Sequence, residues 1–130
     1  MAKRTIIPPN ASPPLAPYSP GVLANGILYV SGVLAMDASG KTLGIGDATA
    51  QTRAVLNAVK SIVTAAGGTM ADVTFNSIFL KDLTDYQRMN EVYKEFFPSE
   101  HPARYCIRAD LVRPEFLVEI SSIAHIDKHR

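Results

Sequence analysis

Two stretches with a helical period, each ended by a hard stop, interrupt a chain that otherwise reads as short strands. This alternation restricts the fold more than any other feature. The first stretch starts at Asp47, a residue type whose carboxylate caps helices, and continues through Val55, Val59, Ile62, Val63 and Ala66. Gln51, Asn57, Lys60 and Thr64 fall on its polar side, and Gly67-Gly68 ends it by permitting left-handed backbone. The second has Thr84 and Gln87 at capping-box spacing. An apolar stripe of Tyr86, Met89, Tyr93, Phe96 and Phe97 follows, and Pro98 stops it. A helix that is apolar on one side must bury that side against another layer.

The strand-type runs supply that layer. Asn25-Gly26 between apolar runs signals a tight hairpin, because both residue types tolerate positive φ. Strands are predicted at 21–24, 27–32 and 33–37, then at 73–80, 103–109 and 116–125. Residues 37–46 hold three glycines and read as turns. The order βββαβαββ predicts one α+β domain over residues 1–130, a mixed sheet covered by two helices.

The first twenty residues contain six prolines: Pro8, Pro9, Pro13, Pro14, Pro17 and Pro20. Each fixes φ and removes a backbone donor, so this segment is an extended arm and not a helix. It either leads into an edge strand or presents Tyr18 as a rigid support.

Thirteen basic residues against twelve acidic ones give a net charge of +1, which provides no electrostatic reason for nucleic acid or an anionic membrane as partner. The longest apolar run, near 27–36, is too short to span a bilayer. The single cysteine, Cys106, rules out an intrachain disulfide and a cysteine-based zinc site. No secretory leader is expected in MAKRTIIPPN, and a reducing, cytoplasmic location follows as the expectation.

Among the side chains able to do chemistry, Arg104 and Glu119 stand out. Alternation along a strand puts Arg104, Cys106 and Arg108 on one face. If the last two strands form a hairpin over a loop at 109–114, residue 108 pairs with 115 and Arg104 lies opposite Glu119. Such a pair is either a cross-strand ion pair or a guanidinium fork for a substrate carboxylate beside an acid that handles a proton. Cys106 is either a small buried hydrophobe or, with Arg104 near, a nucleophile. His101, His125 and His129 lack metal-ligand spacing, and no metal or other cofactor is expected.

The segments PLAPYSPG (14–21), YVSGVLAMD (29–37) and HPARYCIRADLVRPEFLVEISSIAH (101–125) together resemble the Rid (YjgF-like) family of reactive-intermediate deaminases. The first resembles its proline-rich segment, and the second its Ser-Gly strand. The third resembles its C-terminal signature, with P-A-R-x-C followed by V-E-I. NEVYKEFFP and AAGGTMADVTFNSIF also match, the latter especially the RutC type. RutC-like proteins carry Phe where Tyr18 stands, whereas Tyr is usual in other members.

The resemblance implies a chorismate-mutase-like fold of the bacillary type and a homotrimer with sites between subunits. It implies Arg104 as the arginine that binds a small carboxylate substrate and Glu119 as the acid that positions water. Tyr18, Ser31, Gly32 and Cys106 are then pocket residues. The activity implied is deamination of an enamine or imine, first of all 3-aminoacrylate to malonic semialdehyde and ammonia in pyrimidine degradation. The alternatives are a general 2-aminoacrylate or 2-imino acid deaminase, Cys106-dependent peracid reduction, and a trimer that binds small carboxylates without turnover.

Overall fold

The computed structural model describes residues 2–126. In chain order the elements are β1 (Arg4–Ile6), β2 (Gly21–Ala24), β3 (Ile27–Val33), α1 (Ala48–Ala65), β4 (Val73–Leu80), α2 (Tyr86–Phe96), β5 (Ala103–Arg108) and β6 (Val118–His125). The six strands make one sheet in the order β1-β2-β3-β6-β4-β5. All neighbours are antiparallel except β4 and β5. Parallel neighbours need a crossover, and α2 provides it. The result is the expected mixed sheet with two helices packed on it.

The sheet has two unlike faces. On the helix side, Leu28, Ile78, Leu80, Val118 and Ile120 are fully buried against Val55, Leu56, Val59 and Val63 of α1 and Met89 of α2. Each such side chain contributes about 1.5–3 kcal/mol of transfer free energy. On the other face, Tyr29, Tyr105 and Ile107 remain 48%, 46% and 49% exposed. Tyr105 there meets Phe75 and Phe79 edge-on, with ring centroids 5.7 and 6.2 Å apart.

Local chemistry sets the element ends. Asp47 accepts a hydrogen bond from Ala50 N at 3.0 Å and caps α1. Gly67 has φ +91, and Gly67 N and Gly68 N donate to Thr64 O and Val63 O, closing the helix in a Schellman motif. Asn25 and Gly26 both have positive φ and turn β2 into β3.

Four expectations are corrected. The last two strands form no hairpin: β4 lies between them, parallel to β5 and antiparallel to β6. Val118, Ile120, Ser122 and Ala124 of β6 are all buried, which suits a central strand, whereas the arginine-bearing β5 suits an edge. No separate strand follows β3 over 33–37; the chain leaves β3 at Val33 and makes a single bridge from Met36 to Thr42. Asp37 Oδ1 turns the chain there by accepting from Ser39 N and Lys41 N. Gln51 is fully buried, not on the polar side: its amide donates to Glu115 O at 2.9 Å and accepts from Leu117 N at 2.8 Å. The Thr84–Gln87 capping box does not form, because a 3-10 turn at Leu83–Asp85, held by Asp82 on Thr84 N, precedes α2.

Candidate active site

The six residues singled out from the sequence fall into two groups. Tyr18, Ser31, Gly32 and Glu119 line one open cleft of about 580 Å³, together with Leu15 and Arg113. Arg104 and Cys106 lie on the edge strand β5 and line neither this cleft nor the hollow behind the arm.

The cleft is built by the proline-rich arm and a bulge. After the edge strand β1, the arm returns along β3, so it serves both as strand lead-in and as support for Tyr18. Ser31 fastens it: Ser31 Oγ donates to Ser19 O at 2.6 Å and Ser31 N to Pro20 O at 3.0 Å. The β3–β6 register shifts between Val30 and Val33, and this bulge sets Ser31 and Gly32 beside Glu119. A β-carbon at position 32 would overlap Glu119 Oε2, so only glycine leaves the carboxyl its place. Behind the arm a smaller hollow of about 150 Å³ shares Tyr18, Ser31 and Gly32 with the cleft.

Glu119 pairs in register with Phe79, on the open face of the sheet. Its carboxyl has no hydrogen-bond or ionic partner among the described residues. Burial pushes its carboxyl above the ordinary 4.5, and no donor or cation among the described residues offsets this. An acid with a raised pKa in a cleft is suited to take up and return a proton.

Arg104 faces the other way. It pairs with Asn76, whose own partner in β6 is Ser122, and both of these are buried on the helix side. Its Nη2 donates to Asn90 Oδ1 at 2.7 Å and to Tyr86 Oη at 3.2 Å. Its Cζ stands 4.7 Å from the Tyr93 ring centroid. Tyr86, Asn90 and Tyr93 follow one face of α2 at helical spacing, so one helix face fixes the guanidinium. Tyr93 is fixed in turn: Asn76 Nδ2 donates to its hydroxyl at 2.9 Å, and Ser122 Oγ donates to Asn76 Oδ1 at 2.6 Å. No acid neutralises Arg104 among the described residues; the ion pairs there are Arg53–Glu95 and Arg88–Asp85.

Cys106 packs against the core beside Ile78. Burial pushes its thiol up, and the Arg104 charge offsets only part of that. A protonated thiol is a poor nucleophile, which favours the packing role. His101 is exposed, His125 Nδ1 lies 3.1 Å from Thr74 Oγ1, and His129 is outside the described residues. No group of three potential ligands is arranged to hold a metal among the described residues. Among the described residues no helix is long and apolar enough to cross a membrane.

Asn90 and Arg113 were not singled out from the sequence, and Tyr86 was read only as part of the apolar stripe, although it is exposed and bonds Arg104. Asn90 and Tyr93 belong to the quoted NEVY segment, and their spacing from Tyr86 was the available signal. Arg113 lies in an irregular loop, where no periodicity indicates what a side chain faces.

The endoribonuclease L-PSP family matches residues 9–126. The YjgF gene product of E. coli is 32% identical over 94% of this chain and 98% of that one, with a TM-score of 0.85. The Rid family protein YyfA of Yersinia pestis is 31% identical over 96% and 100%, with a TM-score of 0.89. E. coli TdcF with bound serine is 30% identical over 95% and 99%, with a TM-score of 0.87. With a family match along nearly all of the described residues and likenesses that cover both chains almost completely, the chain belongs to the Rid/YjgF family, the family described as endoribonuclease L-PSP.

Proposed function

We propose that the protein is an enamine/imine deaminase that acts on small carboxylates, with 3-aminoacrylate the first candidate substrate, and that its site is completed between subunits of a homotrimer. The observation that carries the reading is Glu119: an unpartnered carboxyl with a raised pKa, set against Gly32 in an open cleft. Arg104 supplies the complementary group, a preorganised guanidinium with no acid on it among the described residues. A relative, TdcF, holds serine, itself a small carboxylate.

The two groups are on opposite faces of one sheet, so a common site needs a second copy. The open face carries Tyr29, Tyr105 and Ile107, half-exposed apolar side chains of the kind that subunit contacts cover. Beside it, β5 is a free sheet edge. In the proposed trimer, the β5 edge of one subunit brings Arg104 to the Glu119 cleft of the next.

In the proposed reaction Arg104 grips the substrate carboxylate in a bidentate fork. The enamine, an amino group on a carbon–carbon double bond conjugated to the carboxylate, takes a proton on the carbon next to the carboxylate. The double bond thereby moves to carbon and nitrogen and gives the imine. Glu119 holds a water near the imine carbon and receives its proton as the C–O bond forms. The carbinolamine then loses ammonia, with the proton returned to nitrogen, and malonic semialdehyde remains. Orientation and one proton relay suffice for a substrate this reactive.

The test is ammonia release from 3-aminoacrylate and 2-aminoacrylate, each generated in the cuvette. Acceleration of either supports the deaminase, and the faster one identifies the preferred enamine. Binding of small carboxylates without ammonia release would replace this reading with that of a binding protein.

A further inference from the structure

The cleft that holds Glu119 also holds a cation of its own chain. Arg113 lines it, on the loop that leads from β5 to β6. Its Nη1 donates to Gly40 O at 2.8 Å and to Thr42 Oγ1 at 3.1 Å. Its Cζ stands 5.3 Å from the ring centroid of the buried Phe116. The turn that receives it is itself tied: Asp37 Oδ1 accepts from Ser39 N, Ser39 Oγ and Lys41 N. Gln51 holds the other side of the loop through Glu115 O and Leu117 N.

These contacts position the guanidinium but leave its charge in place. A carbonyl and a hydroxyl are neutral acceptors, and Arg113 forms no ion pair with a described acid. Among described residues the hydrogen bonds of Arg113 engage Nη1 alone, which leaves the donors of Nε and Nη2 for another partner. Glu119, in the same cleft, is not within ion-pairing distance. A fixed, uncompensated guanidinium in a cleft is suited to an anionic group of a ligand. Little ordering remains to be done when that group arrives.

We propose that Arg113 is a specificity-determining residue that binds a second anionic group, so that the site favours imino dicarboxylates over monocarboxylates. The inference rests on the deaminase reading, in which Arg104 already takes one carboxylate, and it keeps that reaction while moving the preferred substrate from 3-aminoacrylate to a dicarboxylate. A three-carbon enamine then leaves Arg113 without a counter-charge, whereas a four-carbon imino dicarboxylate places one carboxylate on each arginine. The chemistry is unchanged and balanced: water adds across C=N, the C–N bond breaks, and an oxo dicarboxylate and ammonia leave.

The test uses the full chain and its Arg113→Met and Arg113→Lys variants. One arm measures kcat/KM on 2-aminoacrylate and on the imino dicarboxylate made in situ from aspartate by an amino-acid oxidase. The expected result is a fall of at least about tenfold in the dicarboxylate-to-monocarboxylate ratio for Arg113→Met, mostly through KM, with Arg113→Lys in between. The other arm titrates succinate and butyrate by calorimetry, with the fold checked by circular dichroism. Succinate should bind at least about tenfold tighter than butyrate, and Arg113→Met should abolish the difference. Equal ratios in wild type and Arg113→Met, or equal binding of the two acids, would overturn the proposal. An Arg113-dependent preference for succinate without ammonia release would leave the anion site standing and remove the deaminase.

Discussion

Arg104 and Glu119 point to opposite faces of the same sheet, with β4 between their strands. If both serve one reaction, each site takes its arginine from one subunit and its glutamate from another. Arg104→Ala and Glu119→Gln should then complement each other. Either variant alone has no intact site. Refolded together in equal amounts, random assortment restores roughly one site in four and a similar share of wild-type activity. Ammonia release before and after mixing measures it, and a mixture as inactive as its components would rule out shared sites.

Arg104→Ala should lower kcat/KM about a hundredfold or more, since a bidentate charge-assisted contact is lost. Arg104→Lys keeps the charge without the fork and should still lose about tenfold. Asn90→Ala acts through the guanidinium that it holds at 2.7 Å. It should raise KM several-fold with kcat nearly constant, and a loss confined to kcat would argue against a positioning role. Near-wild-type turnover by Arg104→Ala with the fold intact would remove the anchor from the mechanism.

Gly32→Ala tests the contact that keeps the cleft acid in place. The added methyl meets Glu119 Oε2, and the carboxyl must swing aside. Misplacement of about 1 Å in a reacting group can cost about a hundredfold in rate. A drop of that order in kcat, with a melting temperature within a few degrees of wild type, is the expected pair of results. Full activity would show that the carboxyl position does not matter.

The helices and the hairpin were legible because their signals are local. Asp47, Gly67-Gly68 and Asn25-Gly26 each fix the backbone within a few residues, and each does what its type requires. The candidate site residues were named by motif, not by geometry. Tyr18, Ser31, Gly32 and Glu119 do share a cleft, but the predicted Arg104–Glu119 register paired β5 directly with β6, where β4 in fact lies between them. Strand order depends on where crossovers return the chain, and alternation within one strand carries no such information. Gln51 misled for a related reason: a side-chain amide on a buried helix face is silent in the sequence until its backbone partners in the 115–117 segment are known.

Cys106→Ala should keep activity within about twofold. The thiol is pushed up by burial and packs on the core, so it offers little thiolate at neutral pH. Peracid reduction through Cys106 would instead require that the variant lose that activity entirely, and assays of both activities on one preparation separate the two.

Glu119→Gln ties the acid to both stability and rate through pH. The carboxyl's pKa in the folded chain lies above its ordinary value of 4.5, because burial disfavours the ionised form. Below the unfolded value both states are protonated and the group has no effect on folding. As pH rises from there to the folded value, the unfolded chain releases its proton first, so stability falls, and above both values the full penalty persists. Glutamine carries no such penalty. Glu119→Gln should therefore melt higher than wild type near pH 7, and the gap should close toward pH 4. In the rate, wild-type kcat/KM should rise with pH through an acid limb above 4.5, since the ionised form receives the water's proton, and the variant should lose that limb along with most of its turnover. A melting difference that does not change with pH would mean that burial leaves the carboxyl's pKa unshifted, a variant that melts lower than wild type near pH 7 would mean that the carboxylate is paired in the assembled protein, and an acid limb that survives in the variant would assign the proton to another group.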